Sequence, residues 1–271
     1  SRGLGDVYKR QYNNLVLDFT HIYDDEHIRK SDKFHWLDLG TLTGCDMYCS
    51  HASEIQLGKM IDEYGINGIH FIDSGNYHYI TKIMTDRIKE PFVLVLFDHH
   101  TDMQKPMIDN MVSCGDWAGS VLDNNRFLKQ AVLIGPQNDD IEHIDVKCPE
   151  KLITFSAEEL RKINSDEDIN DIVIEKNIQK ICMDVPVYIS IDKDILDKRY
   201  VDTNWSQGHM SVRLLETLLK DFIVDKDIIG IDICGECRTN IPFFEYLKEV
   251  EKDGILNQKL YEFMTHYLSD M

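Results

Sequence analysis

The chain has 271 residues, 43% of them hydrophobic, and 48 acidic against 29 basic side chains give it a net charge of −19. This charge repels phosphate backbones and anionic membranes, so neither nucleic acid nor a membrane is an expected partner. No apolar run approaches the roughly 20 residues that a membrane helix requires. The seven cysteines show no framework spacing, which is typical of a reduced, cytoplasmic protein.

The N-terminal segment 1–11 lacks the apolar stretch of a signal peptide, and we expect it to be non-native or disordered. The rest of the chain contains no repeat, linker or low-complexity tract that would divide it. We therefore assign one domain to residues 12–271. The pair Cys234 and Cys237 has no second CxxC to complete a zinc site, so its cysteines are expected to be incidental.

Apolar runs alternate with helical patterns along the chain. In chain order, the predicted strands are 15–19, 66–72, 92–97, 131–135, 152–155, 185–191 and 227–233. The predicted helices are 54–64, 79–88, one from the capping box Ser156–Glu159, 172–181, one capped by Ser211, and 243–268 with a break at Gly254. This alternation predicts an α/β fold with one mostly parallel sheet between two layers of helices.

The most informative stretch follows the apolar strand Phe92–Phe97, where Asp98-His99-His100-Thr101-Asp102 combines two carboxylates with two imidazoles. Because side chains alternate along extended backbone, we expect Asp98, His100 and Asp102 on one side of the chain. In open α/β sheets the carboxyl ends of the strands are where ligands bind. The stretch therefore predicts a polar site at this edge of the sheet.

Other predicted strands end in the same kind of residue: His78 lies in the turn after 66–72, Asp192 and Asp194 follow 185–191, and Glu236 follows 227–233. Several carboxylates at one sheet edge repel each other unless cations neutralise them. A donor set of four Asp and two His is rich in oxygen and favours Mn²⁺ over zinc. Six ligands suit two ions better than one.

These motifs carry a family resemblance. The segment 98–102 resembles the D-x-H-x-D signature of the arginase (ureohydrolase) family, and Ser190–Asp197 resembles its S-x-D-x-D-x-x-D signature. Gly75–His78 is similar to the family's G-G-x-H segment, and Asp232–Glu236 is similar to its late strand, which ends in a substrate-binding Glu. The motifs keep the family's order across 66–240, so the chain resembles a metallohydrolase with the arginase/deacetylase-like fold.

The resemblance implies a metal-dependent hydrolase that acts on a guanidino group and releases urea, with two Mn²⁺ per chain. It implies two ligand sets that share two bridging carboxylates: His78, Asp98, Asp102 and Asp192 for one ion, and His100, Asp98, Asp192 and Asp194 for the other. Asp102 would carry a proton to the leaving amine, and Glu236 would pair with the cationic guanidinium.

The sequence also departs from the family. Ala118 stands where arginases proper carry a proton-shuttle histidine, and Lys198 follows Asp197 where the family usually has Pro. The residues that bind the α-amino and α-carboxylate groups of a free amino acid are not recognisable. The motifs look more like the divergent branch that contains peptide arginases, which convert arginine side chains in a peptide to ornithine. His209 is a candidate replacement imidazole, with a surface histidine as the alternative.

The expected partner is therefore a small guanidino compound or an arginine-containing peptide, and the resemblance leaves a homo-oligomer open. Two alternatives remain at this stage. One is a zinc-dependent deacetylase of the same fold, which would use a single Asp/His/Asp site. The other is a metal-binding protein without catalytic activity, which Ala118 supports.

Overall fold

The computed structural model describes residues 12–25, 32–164, 180–182 and 184–268. The segment 1–11 and most of the predicted helix 172–181 lie outside these ranges. Within the described residues, no helix combines the length and the apolar character that crossing a bilayer requires.

The described strands, numbered in chain order, are β1 Asn14–Asp18, β2 Phe34–Asp38, β3 Tyr48–Ser50, β4 Ile69–Phe71, β5 Phe92–Phe97, β6 Met111–Ser113, β7 Leu128–Ile134, β8 Leu152–Phe155, β9 Val187–Asp192 and β10 Ile228–Cys234. The described α-helices are α1 His51–Asp62, α2 Ile80–Thr85, α3 Trp117–Asn124, α4 Asn138–Glu142, α5 Ala157–Asn164, α6 Val212–Ile223 and α7 Phe243–Leu268.

Eight of these strands form one sheet in the order β2-β1-β4-β10-β9-β5-β7-β8, and every neighbouring pair in it is parallel. Strands β3 and β6 form a separate antiparallel pair. All six residues of the central strand β5 are buried, as expected for a strand that is covered on both faces.

Alternate residues of β5 pack into different apolar layers. Val93, Val95 and Phe97 belong to the core beneath α6 and α7, whereas Leu94 and Leu96 belong to the core beneath α1, α2 and α3. A residue period of two along the strand therefore divides its side chains between two helical layers. This confirms the predicted three-layer α/β/α fold, with a sheet that is parallel throughout.

Local signals predicted several element boundaries correctly. Strands β5 and β8 have the predicted bounds. At the start of α5, Ser156 N donates to Glu159 Oε2 at 2.8 Å and Glu159 N donates to Ser156 Oγ at 3.3 Å. This reciprocal pair is the predicted capping box.

Other expectations differ from the structure. The predicted break at Gly254 is wrong, because α7 is continuous from Phe243 to Leu268 and Gly254 lies on its buried face. Packing of the neighbouring side chains offsets the cost of about 1 kcal/mol that a helical glycine carries. Strands β2, β3 and β6 were not predicted, and each has only three to five residues.

The N-terminus of α6 allows a direct test of a local stabilising contact. Ser211 Oγ accepts a hydrogen bond from Leu214 N at 3.1 Å. We expect Ser211→Ala to lower the free energy of unfolding by about 1 kcal/mol, because the helix loses a partner for one of its first amide groups. Urea-induced unfolding followed by circular dichroism measures this change. Ser211→Asp keeps an acceptor at the cap and should unfold like the wild type; an equal loss in both variants would contradict the capping role.

Candidate metal centre

The order of the sheet brings the predicted site residues together. Strands β4, β10, β9 and β5 are consecutive neighbours in the sheet. His78 lies in the connection after β4, Asp192 ends β9, and Asp98 follows β5 directly. Because these strands are parallel, all of these residues lie at the same edge of the sheet.

The segment after β5 is not extended, so the alternation of side chains along an extended strand does not explain the directions of its side chains. The chain bends at His99 and His100, and Asp102 has a φ of +50°. The Asp102 carbonyl accepts hydrogen bonds from Ala118 N at 2.9 Å and from Gly119 N at 3.2 Å. The start of α3 therefore holds this left-handed turn and directs Asp102 toward the other site residues.

Two groups of potential ligand atoms result from this arrangement. His78 Nδ1 lies 3.2 Å from Asp98 Oδ2, 3.0 Å from Asp102 Oδ2 and 3.6 Å from Asp192 Oδ2. In the second group, His100 Nδ1 lies 2.8 Å from Asp194 Oδ2 and 3.6 Å from Asp98 Oδ1. Ligand atoms of His78, Asp98 and Asp102 lie within 4.8 Å of one another, and so do those of Asp98, His100 and Asp194. Asp98 joins the two groups.

The hydrogen bonds around His78 fix the orientation of its ring. His78 Nε2 lies 2.9 Å from Ser190 Oγ, and the Ser190 hydroxyl donates to Asp232 Oδ1 at 2.6 Å. Because the Ser190 hydroxyl donates its proton to Asp232, Ser190 Oγ accepts the hydrogen bond from His78 Nε2–H. This network leaves the Nδ1 lone pair facing the carboxylates, which is the tautomer that a metal-binding histidine needs.

The unpaired charges of the cluster fit a bound cation. Asp98 Oδ2 and Asp194 Oδ2 are buried and accept no hydrogen bond. Burial and the neighbouring Asp98 together raise the pKa of Asp102 to about 7. Burial, together with Asp192 and Asp98, also raises the pKa of Asp194 well above its usual range. Oxygen-rich groups that repel one another in this way are the donors that divalent metals such as Mn²⁺ bind.

Asp192 is held in place from the neighbouring strand. The Cys234 thiol donates to Asp192 Oδ2 at 3.2 Å, and burial raises the pKa of this thiol well above its usual range, so it remains a donor. Gly235 has a φ of +91°, and a Cβ atom there would lie 2.4 Å from Asp192 Oδ1. Cys234 and Cys237 are both free thiols in the structure.

A cavity opens above these groups. His100, Asp102, Asp192 and Asp194 line it together with uncharged side chains from other segments: Met47, Tyr48, Gln104, Ser113, Cys114 and Trp205. Among the described residues that line the cavity, none is a lysine or an arginine. The cavity therefore suits a cationic group better than an anionic one.

Three contacts at the site were not predicted from the sequence. Trp117 is fully buried and its Nε1 donates to Asp102 Oδ2 at 2.6 Å. Ser206 Oγ lies 2.8 Å from His100 Nε2, and Trp205 Nε1 donates to Asn76 Oδ1 at 3.0 Å. The sequence offers no local pattern from which these contacts could have been predicted, because their partners come from different segments.

Glu236 does not have the surroundings that were predicted for a substrate-binding residue. Its carboxylate is fully buried and does not line the cavity. Glu236 Oε2 accepts from Lys193 Nζ at 2.6 Å, and Oε1 accepts from Asn257 Nδ2 at 3.0 Å. Both oxygens are thus engaged inside the protein, because the buried Lys193 requires a carboxylate partner.

His209 is also placed away from the cluster. Its side chain is 66% exposed, with Nδ1 3.8 Å from Asp197 Oδ2, and it lines a separate small cavity. Hydrogen bonds from Gly208 N to Asp194 O and from Met210 N to Ile195 O fix the loop on both sides of His209. The predicted replacement imidazole is therefore not in the site, and Ala118 is buried at the start of α3.

Comparisons with known proteins find one relative in sequence and several solved structures with a similar fold. An uncharacterized protein from Thermotoga maritima is 28% identical over 82% of this chain and 78% of its own length. The agmatine ureohydrolase of Thermoplasma volcanium has a TM-score of 0.62 at 15% identity, over 97% of this chain and 92% of that chain. Trypanosoma cruzi formiminoglutamase with Mn²⁺ has a TM-score of 0.58 at 12% identity, over 80% and 71% of the two chains. Two other matching structures are longer, and this chain covers 66% and 64% of them.

The family model extends over the strands that build the centre. The model of the arginase family matches residues 65–236, which is 172 of the 271 residues. The match begins before β4 and ends after β10, so it includes all six predicted metal ligands. The chain belongs to the arginase family.

Proposed function

We propose that this protein is a dinuclear manganese hydrolase that cleaves a C–N bond of a guanidino group and releases urea. The observation that carries the proposal is the convergence of six side chains, His78, Asp98, His100, Asp102, Asp192 and Asp194, beneath one cavity. Membership of the arginase family and the Mn²⁺ in the Trypanosoma cruzi formiminoglutamase support this metal and this reaction class.

The metal ligands proposed for one ion are His78, Asp98, Asp102 and Asp192, and those for the other are His100, Asp98, Asp192 and Asp194. Bound there, Mn²⁺ lowers the pKa of a water molecule so that it becomes a nucleophile near neutral pH. Among the described residues of the cavity wall none is a lysine or an arginine, so the positive charge of the substrate would face the carboxylates on the floor of the cavity.

Asp102 is the proposed proton carrier. Hydrolysis transfers one proton from the attacking water to the leaving amine, and Asp102 lines the cavity where both groups would lie. Trp117 Nε1 donates to Asp102 Oδ2 and fixes the carboxylate. No imidazole replaces the family's shuttle histidine among the described residues of the cavity wall, since His100 is engaged with Asp194 and Ser206.

The substrate proposed is an arginine-type guanidino group without a nearby carboxylate, such as an arginine side chain within a peptide, which would become ornithine. The cavity wall offers no lysine or arginine to an α-carboxylate among the described residues. Peptide bonds on both sides of an internal arginine remove both its α-amino and its α-carboxylate charge. Residues that bind the α-amino and α-carboxylate groups of a free amino acid are therefore not required for a peptide substrate.

Urea release from three substrates tests the proposal: free arginine, agmatine and an arginine-containing peptide. We expect the protein loaded with Mn²⁺ to release urea from the peptide, with kcat/KM for free arginine lower by about 100-fold, because a carboxylate would enter an acidic cavity without a cationic partner. If protein that retains two Mn²⁺ per chain releases no urea from any of the three substrates, the proposed hydrolase activity is contradicted.

The bridging carboxylates provide a test of the metal centre that needs no substrate. Asp98→Asn and Asp192→Asn should each reduce Mn²⁺ retention from about two ions per chain to a small fraction of one, because each removes a ligand that both ions share. Elemental analysis after gel filtration measures the content. Asp139→Asn, an exposed carboxylate on α4, is the matched control. If both ligand variants retain as much Mn²⁺ as the wild type, the proposed metal centre is disproved.

The indole of Trp117 gives a prediction about turnover. We expect Trp117→Phe to keep the Mn²⁺ content and to lower kcat by about tenfold, since Asp102 loses a hydrogen bond that orients it while a smaller aromatic ring still fills part of the buried position. Steady-state urea release and metal analysis on the same sample separate the two effects. An unchanged kcat would show that the orientation of Asp102 does not depend on the indole N–H.

A further inference from the structure

A buried ammonium group lies directly behind the candidate metal centre. Lys193 stands between the proposed ligands Asp192 and Asp194, in the 3-10 turn Lys193–Ile195 that follows β9, and it is fully buried. Its Nζ donates to Glu236 Oε2 at 2.6 Å and to Asn257 Oδ1 at 3.0 Å, and lies 3.6 Å from Asp253 Oδ1. Full burial of a lysine is rare unless it is paired in this way.

The partners of Lys193 connect three parts of the fold. Glu236 belongs to the segment after β10, whereas Asp253 and Asn257 lie on α7. Asn257 Nδ2 also donates to Glu236 Oε1 at 3.0 Å, and Asp253 Oδ2 accepts from Cys237 N at 2.7 Å. The C-terminal helix is therefore bound through buried polar groups to the turn after β9.

This turn sets the relative position of the two proposed ligands. Asp194 N donates to Asp192 Oδ1 at 2.9 Å across the turn. A Cβ atom on Gly235 would lie 2.9 Å from Lys193 N and 2.4 Å from Asp192 Oδ1, so the segment after β10 packs directly against it. The hydrogen bonds of the Lys193 side chain therefore anchor, from behind, the backbone that joins Asp192 to Asp194.

We propose that Lys193 is a positioning residue for the metal centre, and that Glu236 and Asn257 act by holding Lys193. Glu236 then contacts no substrate, although the corresponding family motif implies that it does. The structure supports this assignment because both Glu236 oxygens are engaged by Lys193 and Asn257, and the carboxylate lies outside the cavity lining. The positioning role of Lys193 rests on the proposed metal centre, and the statement that Glu236 contacts no substrate rests on the proposed reaction.

Asn257→Ala tests the positioning role through metal affinity. It removes the two hydrogen bonds that join Asn257 to Lys193 and Glu236 but leaves their ion pair and the nearby Asp253, so the variant should fold. We expect the Kd for Mn²⁺, titrated calorimetrically into chelator-treated protein, to rise by about tenfold. Gln258→Ala, the exposed neighbour on the same helix, should leave the Kd unchanged. A variant that loses thermal stability but binds Mn²⁺ like the wild type would overturn the proposal, because it would make the cluster merely structural.

The double variant Lys193→Met with Glu236→Gln tests the role of Glu236. It removes the ammonium together with the charge of its nearest carboxylate, and burial raises the pKa of the remaining partner Asp253, which can then stay neutral. At saturating Mn²⁺ we expect a KM within about threefold of the wild type for the substrate from which urea is released, since Glu236 provides no substrate contact. A KM raised by about 100-fold with full metal content would place Glu236 on the substrate and overturn the assignment.

The two experiments separate failure of the inference from failure of the proposed function. The Mn²⁺ titration requires no turnover, so its result holds for any substrate of the protein. Wild-type protein that binds Mn²⁺ but releases no urea would contradict the reaction, and the Kd of Asn257→Ala would still decide whether Lys193 positions the centre.

Discussion

The mutual repulsion of buried carboxylates at one sheet edge is the constraint on which the rest of the structure depends. Asp98, Asp102, Asp192 and Asp194 are all buried, and two of their oxygens accept no hydrogen bond. In a medium of low dielectric constant such a cluster is stable only with positive charge close by. His78 and His100 would bind a metal as neutral imidazoles, so the proposed divalent cations would provide that charge. A metal at this site would therefore serve the electrostatics of the fold as well as the proposed chemistry.

The fold meets this constraint with groups that orient each carboxylate separately. Trp117 donates to Asp102, Cys234 donates to Asp192, and His99 N donates to Asp194 Oδ1 at 3.0 Å. Each of these donors comes from a different segment, so their correct placement depends on the assembled sheet. Behind them, Lys193 brings a fourth element, α7, into contact with the turn after β9. The centre is therefore fixed by buried polar contacts on the side that faces away from the cavity.

Divergence within the arginase family is concentrated on the substrate side of the site. The ligand residues follow the family's pattern, whereas Ala118 replaces a histidine and Glu236 is paired with a lysine. Under the proposed function, these two positions would lack the proton-transfer and guanidinium-binding groups that the family resemblance implies. The cavity keeps its acidic floor, and its described wall is neutral. This distribution of charge is the basis for proposing a substrate with a single positive charge and no carboxylate.

The sequence by itself determined most of the longer elements and the candidate ligands, because strand periodicity, the capping box and the two Asp/His signatures are local patterns. It also predicted the three-layer fold, since alternating strands and helices allow few other arrangements. Only the tertiary structure decided which strands are neighbours, that β9 lies between β10 and β5, and what surrounds each side chain. For that reason Asp98 and Asp192 could be proposed as ligands from the sequence, whereas the surroundings of Lys193, Glu236 and His209 could not be predicted. Their environments come from α7 and from the loop before α6, and contacts between segments so distant in sequence leave no periodic signal in the chain.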